Sequence, residues 1–183
     1  MSRIAPVNPA DASLRAQEVL DFVSGAFGRI PNSIKVLANS PVALAAWWSF
    51  EGILGTGRLP RPVHEQLALL TANTNGCEYC LSAHTAAARG AGVSAEDAAA
   101  ARHAEASDPL SEAVLEFGAA VLADRGDVAD DILQAARRAG LSDGDLLEIV
   151  AVVALNTFTN YYNRLARTDL DFPPMHIERR KAS

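Results

Sequence analysis

The sequence predicts an all-α fold, and three observations carry that expectation. Apolar residues recur at three- and four-residue steps along most of the 183 residues. No convincing run of strand-like alternation interrupts them. Proline, glycine and small polar residues fall where helices start and stop. The expected architecture is a multi-helix bundle of eight or nine helices with short turns. It reads as a single domain over residues 1–183, with an N-terminal helical segment (1–57) and a core (58–172).

Each element has a local reason. Ser13 to Phe27 is amphipathic, with Leu14, Val19, Leu20, Val23 and Phe27 in step, and Gly28 suits its end. Pro31 opens a short helix through Leu37, and Pro41 another, Val42 to Leu54, carrying Trp47, Trp48 and Phe50. Gly55-Thr56-Gly57 ends it. Pro62 opens a helix with Glu65 in its first turns and an apolar body from Leu67 to Ala72. Asn73 to Gly76 reads as a break. The next helix runs from the cysteine segment to about Arg89, closed by Gly90 and Gly92. Ser94, with Asp97 in the capping-box position, starts a helix through His103. Pro109 to Asp124 and Val128 to Ala139 follow. Ser142 caps a long helix through about Arg167, and Pro173-Pro174 excludes helix near the end.

The composition excludes some classes of function. A net charge of −6 argues against nucleic-acid or anionic-membrane partners, which require concentrated Lys and Arg. The one basic run, Arg179-Arg180-Lys181, reads as a solvated terminus. The longest apolar run, Ile149 to Leu155, is far too short to span a bilayer. The first ten residues lack an apolar stretch, so no secretory leader is expected and a cytoplasmic location is.

The chemistry concentrates in Cys77-Glu78-Tyr79-Cys80-Leu81-Ser82-Ala83-His84, which holds the only two cysteines of the chain. In a reducing compartment such a pair points to redox or metal chemistry rather than a structural staple. A free thiol has a pKa of about 8.5, so a reactive cysteine needs help to ionise. Three features offer that help. The cysteines begin a helix, where unpaired N–H groups favour an anion. His84 lies one turn beyond Cys80 on the same face. Glu65, on the preceding helix, is placed to orient the imidazole or pass its proton on. The helix end favours Cys77 as the attacking thiol, whereas the spacing to His84 favours Cys80. The histidine weighs more, because it can accept the thiol proton directly or through a water.

Other readings stand beside this one. Zinc needs four ligands, and the remaining candidates are the scattered His64, His84, His103 and His176. His64, His103 and His176 read as surface residues. Trp47, Trp48 and Phe50 read as core or subunit interface, and Tyr161 and Tyr162 as packing residues beside the site. An offset of 83 residues lays Glu65 on Glu148, Asn73-Thr74 on Asn156-Thr157 and Tyr79 on Tyr162, with six identities from His64 to His84. Read as a duplicated helical unit, it sets Asn160, Asn163 and Arg167 where Cys77, Cys80 and His84 stand.

Glu65, then eleven residues, then Cys77-x-x-Cys80 and His84 resembles the alkyl hydroperoxidase D family of the carboxymuconolactone decarboxylase-like superfamily. The Gly28-x-x-Pro31-Asn32 turn, the Pro41 helix and the Leu146 to Leu165 helix look like its peroxidase-related branch. The resemblance implies an all-α thiol-dependent hydroperoxide reductase, a homo-oligomer (trimer or hexamer). Cys80 is then the peroxidatic residue, Cys77 the resolving one, and Glu65 with His84 the proton relay. It implies no haem or flavin. With no nucleotide-binding glycine loop, the expected reductant is an external dithiol or a lipoyl-bearing or thioredoxin-like protein. Where the best-studied members carry a second histidine, this chain has Tyr79. A redox-sensing or disulfide-exchange protein, or a lyase using Glu65 and His84, are the alternatives.

Overall fold

The structure, a computed structural model, describes residues 2–178; the basic run at 179–181 lies outside them. Among the described residues there are nine α-helices and no strand. They are α1 (Leu14–Phe27), α2 (Asn32–Leu37), α3 (Pro41–Leu54), α4 (Arg61–Thr74), α5 (Glu78–Gly90), α6 (Ala95–Ala101), α7 (Pro109–Asp124), α8 (Asp130–Arg138) and α9 (Asp143–Ala166). A short 3-10 turn, Pro9–Asp11, precedes α1. Among the described residues no helix is long and apolar enough to cross a membrane.

The caps explain the boundaries. Ser13, Ser40, Ser94 and Asp108 each accept a backbone N–H at the start of a helix. Ser142 and Asp145 close a reciprocal capping box on α9. Gly28 ends α1 in the left-handed region, at φ +69°. The break expected at Asn73 to Gly76 is a Schellman turn. Gly76 sits at φ +68°, its N–H reaches the Asn73 carbonyl, and the Cys77 N–H reaches Ala72. α6 stops two residues before His103, because the chain turns through Ala104 at φ +64°.

α4 is the central helix. Val63 and every residue from Glu65 to Ala72 are buried, as expected of a helix with neighbours on all sides. Val63, Leu67 and Leu70 meet α7 and α9 in a core with Val114, Leu115, Ile149 and Val152. Gly118 of α7 permits that approach, since a Cβ there would overlap a Leu67 methyl. Leu69 and Ala72 face α5 with Cys77, Cys80 and Leu81. The N-terminal helices form a third cluster, closed by Leu155 of α9. After α9 the chain runs without helix across α5, where Phe172, Met175 and Ile177 pack on the cluster that holds both cysteines.

The 83-residue offset does not map one helical unit onto another. Residues 64–84 form α4, a turn and α5, whereas 147–167 lie almost wholly in the continuous helix α9. The reason is local. Gly76 turns the chain out of α4, and its offset counterpart Thr159 continues the helix and donates to the Leu155 carbonyl.

Candidate active site

Cys77 closes the turn after α4 and is also the N-cap of α5. Its sulfur accepts the Cys80 N–H at 3.3 Å. The Cys77 sulfur therefore sits at the positive end of a 13-residue helix. Cys80 lies in the first turn, its Cα 5.3 Å from that of Cys77, and the two are joined as a disulfide. Both residues are 1% exposed.

One helical turn on, His84 Nδ1 lies 2.8 Å from Glu65 Oε2 of α4. Arg61 Nε donates to the other carboxylate oxygen at 3.0 Å. Burial pushes the Glu65 carboxyl up, but the hydrogen bond and charge of His84, with Arg61, outweigh it and hold the group below its ordinary value. Burial likewise disfavours a charged His84, and the bond to Glu65 overcomes it, so the imidazole holds its proton more tightly than usual. Both shifts favour the charged forms, in which Nδ1–H donates to the Glu65 carboxylate. Nε2 is left as the ring nitrogen not engaged by Glu65.

A cavity of about 520 Å³ opens beside these residues. Cys80, His84 and Glu65 line it and Cys77 does not. Its walls are largely apolar, with Phe27, Ile34, Trp47, Leu155 and Phe172, so Trp47 is a cavity residue as well as a core one.

Several residues reach the site with no catalytic signal in the sequence. Asn163 of α9 donates to Ser33 Oγ at 2.9 Å and to the Thr159 carbonyl at 3.0 Å, and points at Cys80 Sγ from 3.6 Å. Its Oδ1 is buried with no hydrogen-bond partner among the described residues. Ser33 Oγ bonds the Tyr162 hydroxyl, and burial pushes that phenol up to about 12. The offset had paired Asn163 with Cys80, and the fold brings those two side chains into contact.

Tyr79 belongs to a latch. Its hydroxyl donates to Asp171 Oδ1 at 2.7 Å and accepts the Ser33 N–H at 3.1 Å. Asp171 Oδ2 also accepts from Asn32 N and Arg29 Nη1, and Arg29 lies 4.3 Å over the Phe172 ring. Burial raises the phenol further from its ordinary value, so Tyr79 cannot act as a base near neutral pH.

His64 is not the surface residue expected. It is half-buried, with Nε2 enclosed 3.7 Å from Glu148 Oε1, because α4 has neighbours on every side. His103 is also half-buried and pairs with Glu178 at 3.2 Å, whereas His176 is exposed. Among the described residues no cluster of three or more His, Cys, Asp or Glu side chains could hold a metal ion.

Comparison with known proteins follows the same outline. Residues 41–123 match the Carboxymuconolactone decarboxylase family. A Mycobacterium tuberculosis protein named alkyl hydroperoxide reductase is 31% identical over 86 residues, which cover 46% of this chain and a quarter (25%) of that protein. A solved alkylhydroperoxidase AhpD core, an uncharacterized peroxidase-related protein from Ralstonia eutropha, superposes with a TM-score of 0.84 at 23% identity, over 93% of this chain and 92% of that one. The debrominase Bmp8 shares the fold at a TM-score of 0.78 and 20% identity, over 92% of each chain. The match to the Carboxymuconolactone decarboxylase family thus covers residues 41–123, and the chain as a whole has the fold of the alkylhydroperoxidase AhpD core.

Proposed function

We propose that the protein is a thiol-dependent alkyl hydroperoxide reductase. The observation that carries this reading is the asymmetry of the disulfide: Cys80 lines the cavity beside the His84–Glu65 couple, and its partner Cys77 sits behind it. In the reduced enzyme the Cys80 thiolate attacks the terminal peroxide oxygen. The O–O bond breaks, the alkoxide leaves as alcohol with the proton from His84, and Cys80 becomes a sulfenic acid. The Cys77 sulfur then attacks the Cys80 sulfur and water leaves, giving the disulfide. An external dithiol, or a lipoyl-bearing or thioredoxin-like protein, reduces it by exchange. Glu65 holds the His84 tautomer and balances its charge.

The reading includes a single domain over the whole chain, a cytoplasmic location and a homo-oligomer, trimer or hexamer. The cavity supports the single domain, since it draws on α1 to α5 and α9 together. The outer face of α9 supports assembly. Residues 149–163 carry no charge, and Leu147, Val150, Phe158, Tyr161 and Leu165 line its exposed side.

The test is the division of labour between the thiols. Cys80→Ser should abolish peroxide consumption. Cys77→Ser should form one dimedone-trappable sulfenate per chain, read by mass spectrometry, and fail to turn over with a dithiol. Sulfenate formation in Cys80→Ser but not in Cys77→Ser would reverse the assignment. Activity retained when both cysteines are serine would favour a lyase that uses Glu65 and His84. A disulfide that forms without turnover would favour a redox sensor.

A further inference from the structure

We propose that Glu51 makes the cavity beside Cys80 select neutral hydroperoxides over anionic ones. The proposal rests on the peroxidase reading for its chemistry and on the cavity's charges for its substance. Arg29, Glu51, Arg61, Glu65 and His84 are the charged or imidazole side chains that line it. Four of the five are committed. Arg29 is held by the carboxylate and carbonyl of Asp171. Arg61 and His84 each engage one oxygen of Glu65. Glu51 alone has no hydrogen-bond or ion-pair partner among the described residues.

Its position places that charge near the reacting end. Glu51 lies on α3 one turn beyond Trp47, which is buried against the same cavity. It also borders a smaller cavity of about 80 Å³, shared with Glu65 and His84. Its charge is among those that favour a protonated His84. The remaining walls are mostly apolar side chains, which cannot solvate a ligand's charge. A carboxylate carried by a substrate would meet an unpaired like charge in a poorly screened space. A neutral aryl or alkyl group would carry no charge for Glu51 to repel and would meet the mostly apolar remaining walls.

The test uses the alcohols left by two hydroperoxides, cumyl alcohol and its para-carboxylate, so binding is read apart from chemistry. Tryptophan fluorescence reports occupancy, since Trp47 lines the cavity. At near-neutral pH and low salt the wild-type protein should bind the neutral alcohol about tenfold more tightly or better. Glu51→Gln should narrow the gap to about threefold or less by strengthening carboxylate binding, Glu51→Asp should retain it, and added salt should narrow it in the wild type. Equal binding in the wild type, an unchanged gap in a folded Glu51→Gln, or no saturable binding of either alcohol would overturn the proposal. Turnover of cumene hydroperoxide with a dithiol is then measured on the same proteins. A binding gap that behaves as expected without any turnover refutes the peroxidase reading and upholds the charge selection.

Discussion

Removing His84 exposes how much the buried couple contributes to the fold. In His84→Ala, Glu65 stays 5% exposed but loses the partner 2.8 Å from Oε2. Two unit charges about 4 Å apart attract by about 4 kcal/mol at an effective dielectric of 20. Stripping one partner from a buried pair costs about 3–5 kcal/mol. Arg61 still holds the other oxygen at 3.0 Å, but its side chain is 62% exposed and replaces little of the loss. The expected cost is therefore about 3 kcal/mol, the low end of that range. For a chain of this length that is about 6–12 °C in melting temperature.

The pH dependence gives the sharper check. His84 has a raised pKa in the fold, so its contribution is complete below its ordinary value of 6.5 and fades as pH rises through the folded value. Glu65 has a lowered pKa, so its contribution is complete above 4.5 and fades as pH falls through the folded value. Both act fully between those two values. Melting curves by circular dichroism at matched protein concentration should show the largest gap between wild type and His84→Ala near pH about 5.5, shrinking as pH rises through the folded value of His84. A gap that is absent near pH about 5.5, or constant across the range, would refute the imidazolium–carboxylate couple.

Three further outcomes follow from the geometry. Tyr79→Phe leaves the Ser33 N–H buried without its partner and removes one of the donors that hold Asp171, so it should cost about 2 kcal/mol in thermal melts and speed proteolysis within 168–178. Glu148 accepts the N–H groups of Arg58 and Leu59, and Gly57 leaves no room for a Cβ beside it. Glu148→Ala should therefore lower stability by about 2 kcal/mol while peroxide consumption per folded chain persists; a normally folded Glu148→Gln that loses activity would contradict the structural role. Tyr161→Asp, on the uncharged outer face of α9, should shift sedimentation velocity toward monomer, and an unchanged profile would locate the assembly surface elsewhere.

The parts of this fold that were legible in the sequence are those set by near neighbours. Ser142 with Asp145, Gly28, and the Gly76 break act within four residues, so they appear as local pattern. The couple of Glu65 and His84 was legible because each lies at a set position on adjacent helices across one tight turn. Asn163, Ser33 and Asp171 were not, since their contacts join α2, α5, α9 and the final segment over separations as large as 139 residues. No local pattern encodes such a meeting. His64 was misplaced for a related reason: helical spacing assigns a face, but it cannot say that a helix is enclosed on all of them. The offset similarity failed where backbone mattered more than identity, at Gly76 against Thr159.

The two cues that divided the cysteines need not compete, because the proposed cycle asks different things of the two sulfurs. Peroxide and incoming dithiol both need access, and Cys80 alone lines the cavity. A leaving group in thiol–disulfide exchange needs a stabilised thiolate. Cys77 sits at the N-cap of α5, where the helix favours an anion and the Cys80 N–H already points at its sulfur. Attack by a dithiol at Cys80 would thus expel Cys77 as thiolate into the position best suited to hold it. Phe172, Met175 and Ile177 pack on the cluster that holds both cysteines. Tyr79 serves this arrangement by tying that final segment down through Asp171. In this reading Tyr79 is a clamp rather than a proton carrier. That leaves proton handling to the single His84–Glu65 couple.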